Sequence, residues 1–205
     1  ADNLDVFCHC RAQRTDWVIR AAQLHRVVEE ADAEQVGERD GAQRLSLRAV
    51  LMKQPLSGAY ELSVHATKDH EARTARMQIR FARVTIRRPK GRTKYQHAID
   101  FQELTQWVVE TREVDPPKGV QPLHWVLWTS LPVTRFDDAW QIIEYYERRW
   151  LIEEFHKALK TGCRVEDRQY ETGERLAAVA GLLSVVAVRL LQLKAVARVE
   201  PNSLL

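Results

Sequence analysis

The feature that most constrains this fold is a change of hydrophobic period along the chain. Residues 44 to 114 are β-like in texture, as in "GAYELSVHA" and "ARMQIRFARVTIRR", where apolar and polar residues alternate. Helical spacing predicts one long helix from about Phe136 to Lys160 and another from about Glu174 to Val199. The apolar runs "WVIRAA" after Asp16 and "LHWVLWTSLPV" predict buried strands on either side of the β-rich block. This order indicates an α/β core with a β-rich insertion.

Composition places the chain among ordinary soluble globular proteins. Its 205 residues are 29% charged and 45% hydrophobic, which argues against disorder and allows one large domain or two small ones. Three cysteines without a CxxC spacing favour a reducing cytosol. Cys8-His9-Cys10 cannot form a tetrahedral metal site without partners elsewhere. The chain opens on a polar stretch rather than a signal peptide, and without Met, so we interpret it as part of a longer protein.

The most apolar segment is "LAAVAGLLSVVAVRLLQL", residues 176 to 193. It contains Arg189, Ser184 and Gln192, and a charge at the centre of a bilayer is costly. The segment therefore favours a buried core helix over a membrane span.

A basic stretch lies inside the β-rich block. Met77, Ile79 and Phe81 alternate with polar residues, and the phase slips at Arg83, which predicts a bulge in a strand with one apolar and one cationic face. Such a face suits phosphate backbones, although a solubilising surface is the alternative. Residues 72 to 99 contain no acid and nine basic residues: Arg73, Arg76, Arg80, Arg83, Arg87, Arg88, Lys90, Arg92 and Lys94.

A polar stripe runs along the first predicted helix. Tyr146, Arg149, Glu153 and Lys160 follow each other at steps of three, four and seven, which places them on one side of a helix. Leu151, Phe155, Ala158 and Leu159 lie on the opposite side and predict a face packed on a core. The stripe is either a solvated surface with an Arg149–Glu153 pair or a site.

The same string carries a family resemblance. "YERRWLIEEFHKALKTG" is similar to the signature of cut-and-paste DDE transposases of bacterial insertion sequences, Tyr-x2-Arg-x3-Glu-x6-Lys, and its four key residues match that spacing. The segments "DWVIRA", "GAYELSV", "PPKG", "PLHWVLWTS" and "LLSVVAVRLLQLK" also resemble family segments in the same order.

The resemblance implies an α/β, ribonuclease-H-like core, residues 1–23 and 123–200, with an inserted β-rich subdomain, residues 24–122, before the glutamate helix. It also implies two aspartates and a glutamate that hold a pair of divalent ions, usually magnesium, for strand cleavage and strand transfer. The partners it implies are DNA, both transposon ends and target, and a second copy of the chain. The implied location is the bacterial cytoplasm at the nucleoid, with no membrane.

By the same resemblance, Glu153 is the catalytic, metal-binding carboxylate. Tyr146, Arg149 and Lys160 would hold the phosphate of a flipped nucleotide, and Trp125 would stack on or replace its base. Arg20 is a weaker candidate for a backbone contact. Without the resemblance, Trp125 is better interpreted as a core tryptophan. We expect Glu154 to be a neighbour rather than a metal ligand.

Two aspartates of the family pattern cannot be placed in this sequence. Ala1-Asp2 is similar to the end of a family Arg-Glu-Ala-Asp string, which would put one aspartate before residue 1. Asp2, Asp5 and Asp16 are better interpreted as helix or cap residues. The resemblance also places the end-recognition and dimerisation regions of the family outside the sequence. We therefore expect a partial catalytic core that does not cleave DNA alone; the alternative is a non-catalytic DNA-binding remnant.

Overall fold

The computed structural model describes residues 4–31, 44–64, 66, 71–87 and 103–199. The chain divides into two compact units, Ala1–Tyr146 and Glu147–Leu205. The described helices and strands are, in chain order, α1 Leu4–Ala12, β1 Val18–Arg20, β2 Val27–Glu30, β3 Arg44–Ser46, α2 Leu47–Lys53, β4 Gly58–Val64, β5 Arg73–Arg87, β6 Glu103–Val114, β7 His124–Thr129, α3 Phe136–Glu147, α4 Trp150–Lys157 and α5 Gly173–Val199.

The first unit is built on a mixed α/β arrangement with an antiparallel sheet. Its seven described strands follow the order β1-β7-β6-β5-β2-β3, and β4 pairs with β5. The strands predicted from "WVIRAA" and "LHWVLWTSLPV" pair with each other as β1 and β7, and β7 pairs with β6. The same sheet thus continues from these two strands into the β-rich block. The boundaries of a separate inserted subdomain stay a prediction.

Both faces of the sheet are buried, but under different helices. Val84, Val108 and Trp128 share one face, where α1 and α2 supply Phe7, Leu47 and other core residues. The opposite face contributes its own buried residues to a cluster with α3, which consists of Ile79, Val109, Leu127, Val133, Ala139, Ile142 and Ile143. The two long strands β5 and β6 are therefore buried on one side near one end and on the other side near the other end.

This exchange of faces explains the phase slip at Arg83, and the predicted bulge is wrong. The β5–β6 register is continuous from Arg76 opposite Val114 to Arg87 opposite Glu103. The burial pattern of β5 changes phase near Ala82 because α3 packs on the odd-numbered side and α1 and α2 on the even-numbered side. Helix packing, rather than an extra residue in the strand, causes the slip.

The predicted cationic face is also wrong for the described part of the basic stretch. Arg73 makes a two-pronged ion pair with Glu113, and Arg80 and Arg87 pair with Glu110 and Glu29. In a strand, odd and even positions point to opposite faces, so the arginines are divided between the two sides of β5. Arg88, Lys90, Arg92 and Lys94 lie outside the described residues.

The single helix predicted from Phe136 to Lys160 is wrong. The helix α3 ends at Glu147 and α4 begins at Trp150. Between them the hydrogen bonds tighten to three-residue spacing, from Leu151 N to Arg148 O and from Ile152 N to Arg149 O. After α4, Ala158–Gly162 form a turn of π-helix. Tyr146 and Arg149 therefore belong to different elements.

The second predicted helix is present as α5, but it is not the buried core helix that its sequence indicates. A helix that is apolar on all sides is usually buried. In the described part of its unit, Leu182, Val185 and Leu193 are exposed and Ala187 is buried. By length and composition α5 would also pass as a membrane span, a test that core helices of soluble proteins pass too.

Gly58 marks a close approach between the sheet and α3. A Cβ at this position would lie about 2.5 Å from Cε2 of Phe136, the first residue of α3. We predict that Gly58→Ala destabilises the protein by about 1–3 kcal/mol, because the ring of Phe136 must leave its site. Denaturant unfolding measures this, with Gly181→Ala on α5 as control, since a Cβ there meets nothing within 4 Å. Equal stability of the two variants would contradict the packing described.

Candidate functional site

Glu153 lies one turn after Arg149, and the two side chains form an ion pair. Nη1 of Arg149 is 2.8 Å from Oε1 of Glu153. Both side chains are exposed, at 56% and 65%, so the pair is worth a few tenths of a kcal/mol (about 0.3–0.5). The Glu153 carboxylate is therefore open to solvent. Its partner Arg149 could bind another anion in its place.

Lys160 lies in the π-helical turn and faces a different acid. Its Nζ is 2.7 Å from Oε1 of Glu166, and these side chains are 57% and 63% exposed. The turn closes with Cys163 N donating to Ala158 O at 2.9 Å. Since π-helical turns are rare and are frequent at functional sites, the local geometry agrees with Lys160 as a candidate residue.

The helix α4 is attached to α5 by one face and one ion pair. Phe155 lines a cavity of about 420 Å³ with Ser184, Val185 and Val188 of α5. Glu154, predicted to be a neighbour of the site rather than a ligand, pairs with Lys194 of α5. This contact turns Glu154 toward α5 and leaves Glu153 in solvent.

The predicted core-facing side of α4 packs only partly on its unit. None of the eight residues of α4, all of which the structure describes, is buried. Leu151 is exposed, and Phe155, Ala158 and Leu159 are half-buried. The spacing was that of an amphipathic helix, but the small helical unit Glu147–Leu205 offers α4 only a shallow partner.

Trp125 and Tyr146 form an aromatic pair in the first unit. Their ring centres are 5.7 Å apart and their planes are tilted by 60°. Trp125 lies on β7 on the side that packs on α3, and Tyr146 lies in the last turn of α3. Both rings are half-buried. Trp125 is thus packed on one side and accessible on the other. Its burial is intermediate between that of a core tryptophan and that of a fully exposed ring.

Arg20 lies close to this pair. Its Nη2 donates to the carbonyl oxygen of His124, the residue before Trp125, at 3.3 Å. The six predicted site residues therefore form two groups: Arg20, Trp125 and Tyr146 in the first unit, and Arg149, Glu153 and Lys160 in the second. Their roles stay predictions.

The described acids do not assemble a metal centre around Glu153. Within residues 4–31, 44–64, 71–87 and 103–199, no group of three His, Cys, Asp or Glu could hold an ion. Asp16 accepts from the Ser130 hydroxyl at 2.8 Å, and Asp5 lies in α1. Cys8 is buried in the core. Asp2 lies outside the described residues. Among the described residues, the side chains thus supply one candidate metal ligand, the Glu153 carboxylate, and not the ligands that a pair of ions requires.

Sequence reasoning missed a partly buried polar cluster on the sheet, centred on Glu110. His124 Nε2 is 2.8 Å from Glu110 Oε1, and Arg80 Nη1 is 3.6 Å from the other oxygen. Burial raises the pKa of Glu110, but the His124 hydrogen bond and the charges of His124, Arg80 and Arg112 outweigh it and lower the pKa below its usual value. Strand pairing brings these residues together from separate parts of the chain, so no local sequence motif marks the cluster.

Comparison with protein families gives a match over most of the chain. The model of a family described as the transposase DDE domain matches residues 2–189 of this chain. The matched range contains all six predicted site residues.

Proposed function

The chain belongs to the transposase DDE domain family, and on that premise we propose that it serves cut-and-paste transposition as the part of a catalytic core that carries Glu153 and holds transposon-end DNA. The resemblance predicted from the sequence is confirmed at the level of the family. Members of this family act on DNA and generally use a divalent metal. Magnesium, the Tyr-x2-Arg-x3-Glu-x6-Lys group, a homodimer and a nucleoid location in bacteria belong to the proposal.

The observation that carries the proposal is the exposure and weak pairing of two cationic side chains in the second unit. Arg149 and Lys160 are exposed, and each is held by an exposed carboxylate at hydrogen-bond distance. Because exposed ion pairs are weak, a DNA phosphate can replace either carboxylate at little cost. A phosphate also accepts charge-assisted hydrogen bonds from both guanidinium and ammonium groups. Each of the two cations is thus suited to hold a phosphate.

The aromatic pair supports the second half of the proposal. A base that leaves the DNA stack needs a flat partner, and stacking on an aromatic ring is worth about 1–3 kcal/mol. Tyr146 packs against Trp125 from one side. The exposed part of the Trp125 ring can then receive the base, with Arg20 beside it for a neighbouring phosphate.

Cleavage requires more than the described side chains supply. When bound in this family, the metal ions would activate the attacking oxygen and steady the leaving oxygen. Glu153 is the ligand that this chain would provide. The proposal is that this polypeptide contacts DNA through its own residues and does not cleave it alone.

The phosphate contacts predict a change in salt dependence. Arg149→Ala and Lys160→Ala should each weaken DNA binding and reduce the slope of log K against log salt by about one unit, as expected for one lost phosphate contact. Fluorescence anisotropy with a labelled duplex of mixed sequence, titrated at several salt concentrations, measures this. Lys53→Ala, an exposed lysine at the end of α2, is the control and should keep the slope. Unchanged slopes in both stripe variants would show that the stripe is a solvated helix surface.

Trp125→Ala should give a different result. We expect a loss of about 1–3 kcal/mol in affinity for a duplex with one unstacked base, and no change in salt slope, because stacking releases no counterions. A fully paired duplex should lose much less. Trp128→Ala is the contrasting variant, since Trp128 is fully buried and should mainly lower the melting temperature. If Trp125→Ala lowers the melting temperature as much and leaves both affinities unchanged, Trp125 is a core residue only.

A further inference from the structure

The acid opposite Lys160 comes from beyond the helix and outside the family signature. Glu166 lies six residues after Lys160, in a 3-10 turn formed by Val165–Asp167. Its Oε1 is 2.7 Å from Lys160 Nζ. Arg149 is paired within its own helix, whereas Lys160 is paired with a residue from a separate turn. The chain therefore places a carboxylate on a residue that is proposed to hold phosphate.

The turn that presents Glu166 is anchored. Cys163 is buried, and its Sγ is 3.8 Å from the carbonyl oxygen of Leu183 on α5. Arg168 donates from Nε and Nη2 to the carbonyl oxygen of Cys163, both at 3.4 Å. Arg164 takes a left-handed conformation, φ 50°, and so reverses the chain between Cys163 and Glu166. These contacts position the backbone on both sides of Glu166.

We propose that Glu166 lowers the affinity of this protein for DNA by occupying Lys160 in the free protein, so that a phosphate must displace it. This inference rests on the proposed role of Lys160. Displacement has two costs: the Lys160–Glu166 pair is lost, and the released carboxylate remains close to the arriving phosphate, which it repels. Both costs fall as salt screens the charges.

The test is Glu166→Gln, which removes the charge and keeps the shape of the side chain. With a fluorescein-labelled duplex of mixed sequence at low salt, we expect binding to tighten by about two- to fivefold, the range of exposed ion pairs. Asp167→Asn is the matched control, because it removes one negative charge from the same turn without the contact to Lys160; Asp167 faces Arg164 instead. The gain should exceed that of Asp167→Asn and diminish as salt rises.

A Lys160→Ala background completes the test. There, Glu166→Gln should have no more effect than Asp167→Asn, since the residue that it blocks is absent. Melting temperatures of all variants check that folding is intact. Equal gains for Glu166→Gln and Asp167→Asn in the original chain, or weaker binding by Glu166→Gln, would overturn the inference while Lys160→Ala still weakens binding. If Lys160→Ala does not weaken binding, both the phosphate role of Lys160 and this inference fail.

Discussion

The continuous ladder between β5 and β6 determines which side chains can be buried on each face of the sheet. Its register runs without a break from Arg76 opposite Val114 to Arg87 opposite Glu103. In an antiparallel pair, directly opposed residues share a face, so this register brings apolar residues of three strands into line. One face receives α3 and the other receives α1 and α2. A slip by one residue would exchange buried and exposed positions along the whole ladder.

The aromatic part of the candidate site depends on this ladder. Trp125 is opposite Thr111 in the β6–β7 register, on the face that packs on α3. That register brings it to Tyr146 at the end of α3. The charged part of the site has a different basis, because α4 has no buried residue in the described structure and relies on Phe155 and the Glu154–Lys194 pair. The aromatic group is held by a large core. The charged group lies on a small helical unit, where Arg149 and Lys160 are exposed and can change partners.

Hydrophobic period was sufficient to predict β1, β7, most strands of the β-rich block and the last helix, and the literal signature was sufficient to predict the family. The prediction of β structure throughout residues 44 to 114 is wrong at α2, because Leu47–Lys53 form a helix whose first turn is capped by the Ser46 hydroxyl, and β2 was not predicted. Hydrophobic period could not predict which helix covers which face of the sheet. The phase slip at Arg83 was therefore interpreted as a bulge. Nor could hydrophobic period predict ion pairs between strands that are far apart in sequence, so the Arg73–Glu113 pair was missed. The break at Arg149 carries no glycine or proline to mark it. Burial of α5 was predicted from its composition, whereas burial depends on the elements available to cover a helix.

The central claim is that the exposed cations of the second unit contact DNA phosphate. The most direct measurement is amine labelling followed by mass spectrometry, with and without a saturating amount of labelled duplex. Lys160 should lose reactivity when DNA is bound, because the phosphate covers its ammonium group, while Lys53 at the end of α2 should react equally in both conditions. Protection of Lys53 with none at Lys160, under conditions where anisotropy shows DNA bound, would contradict the account.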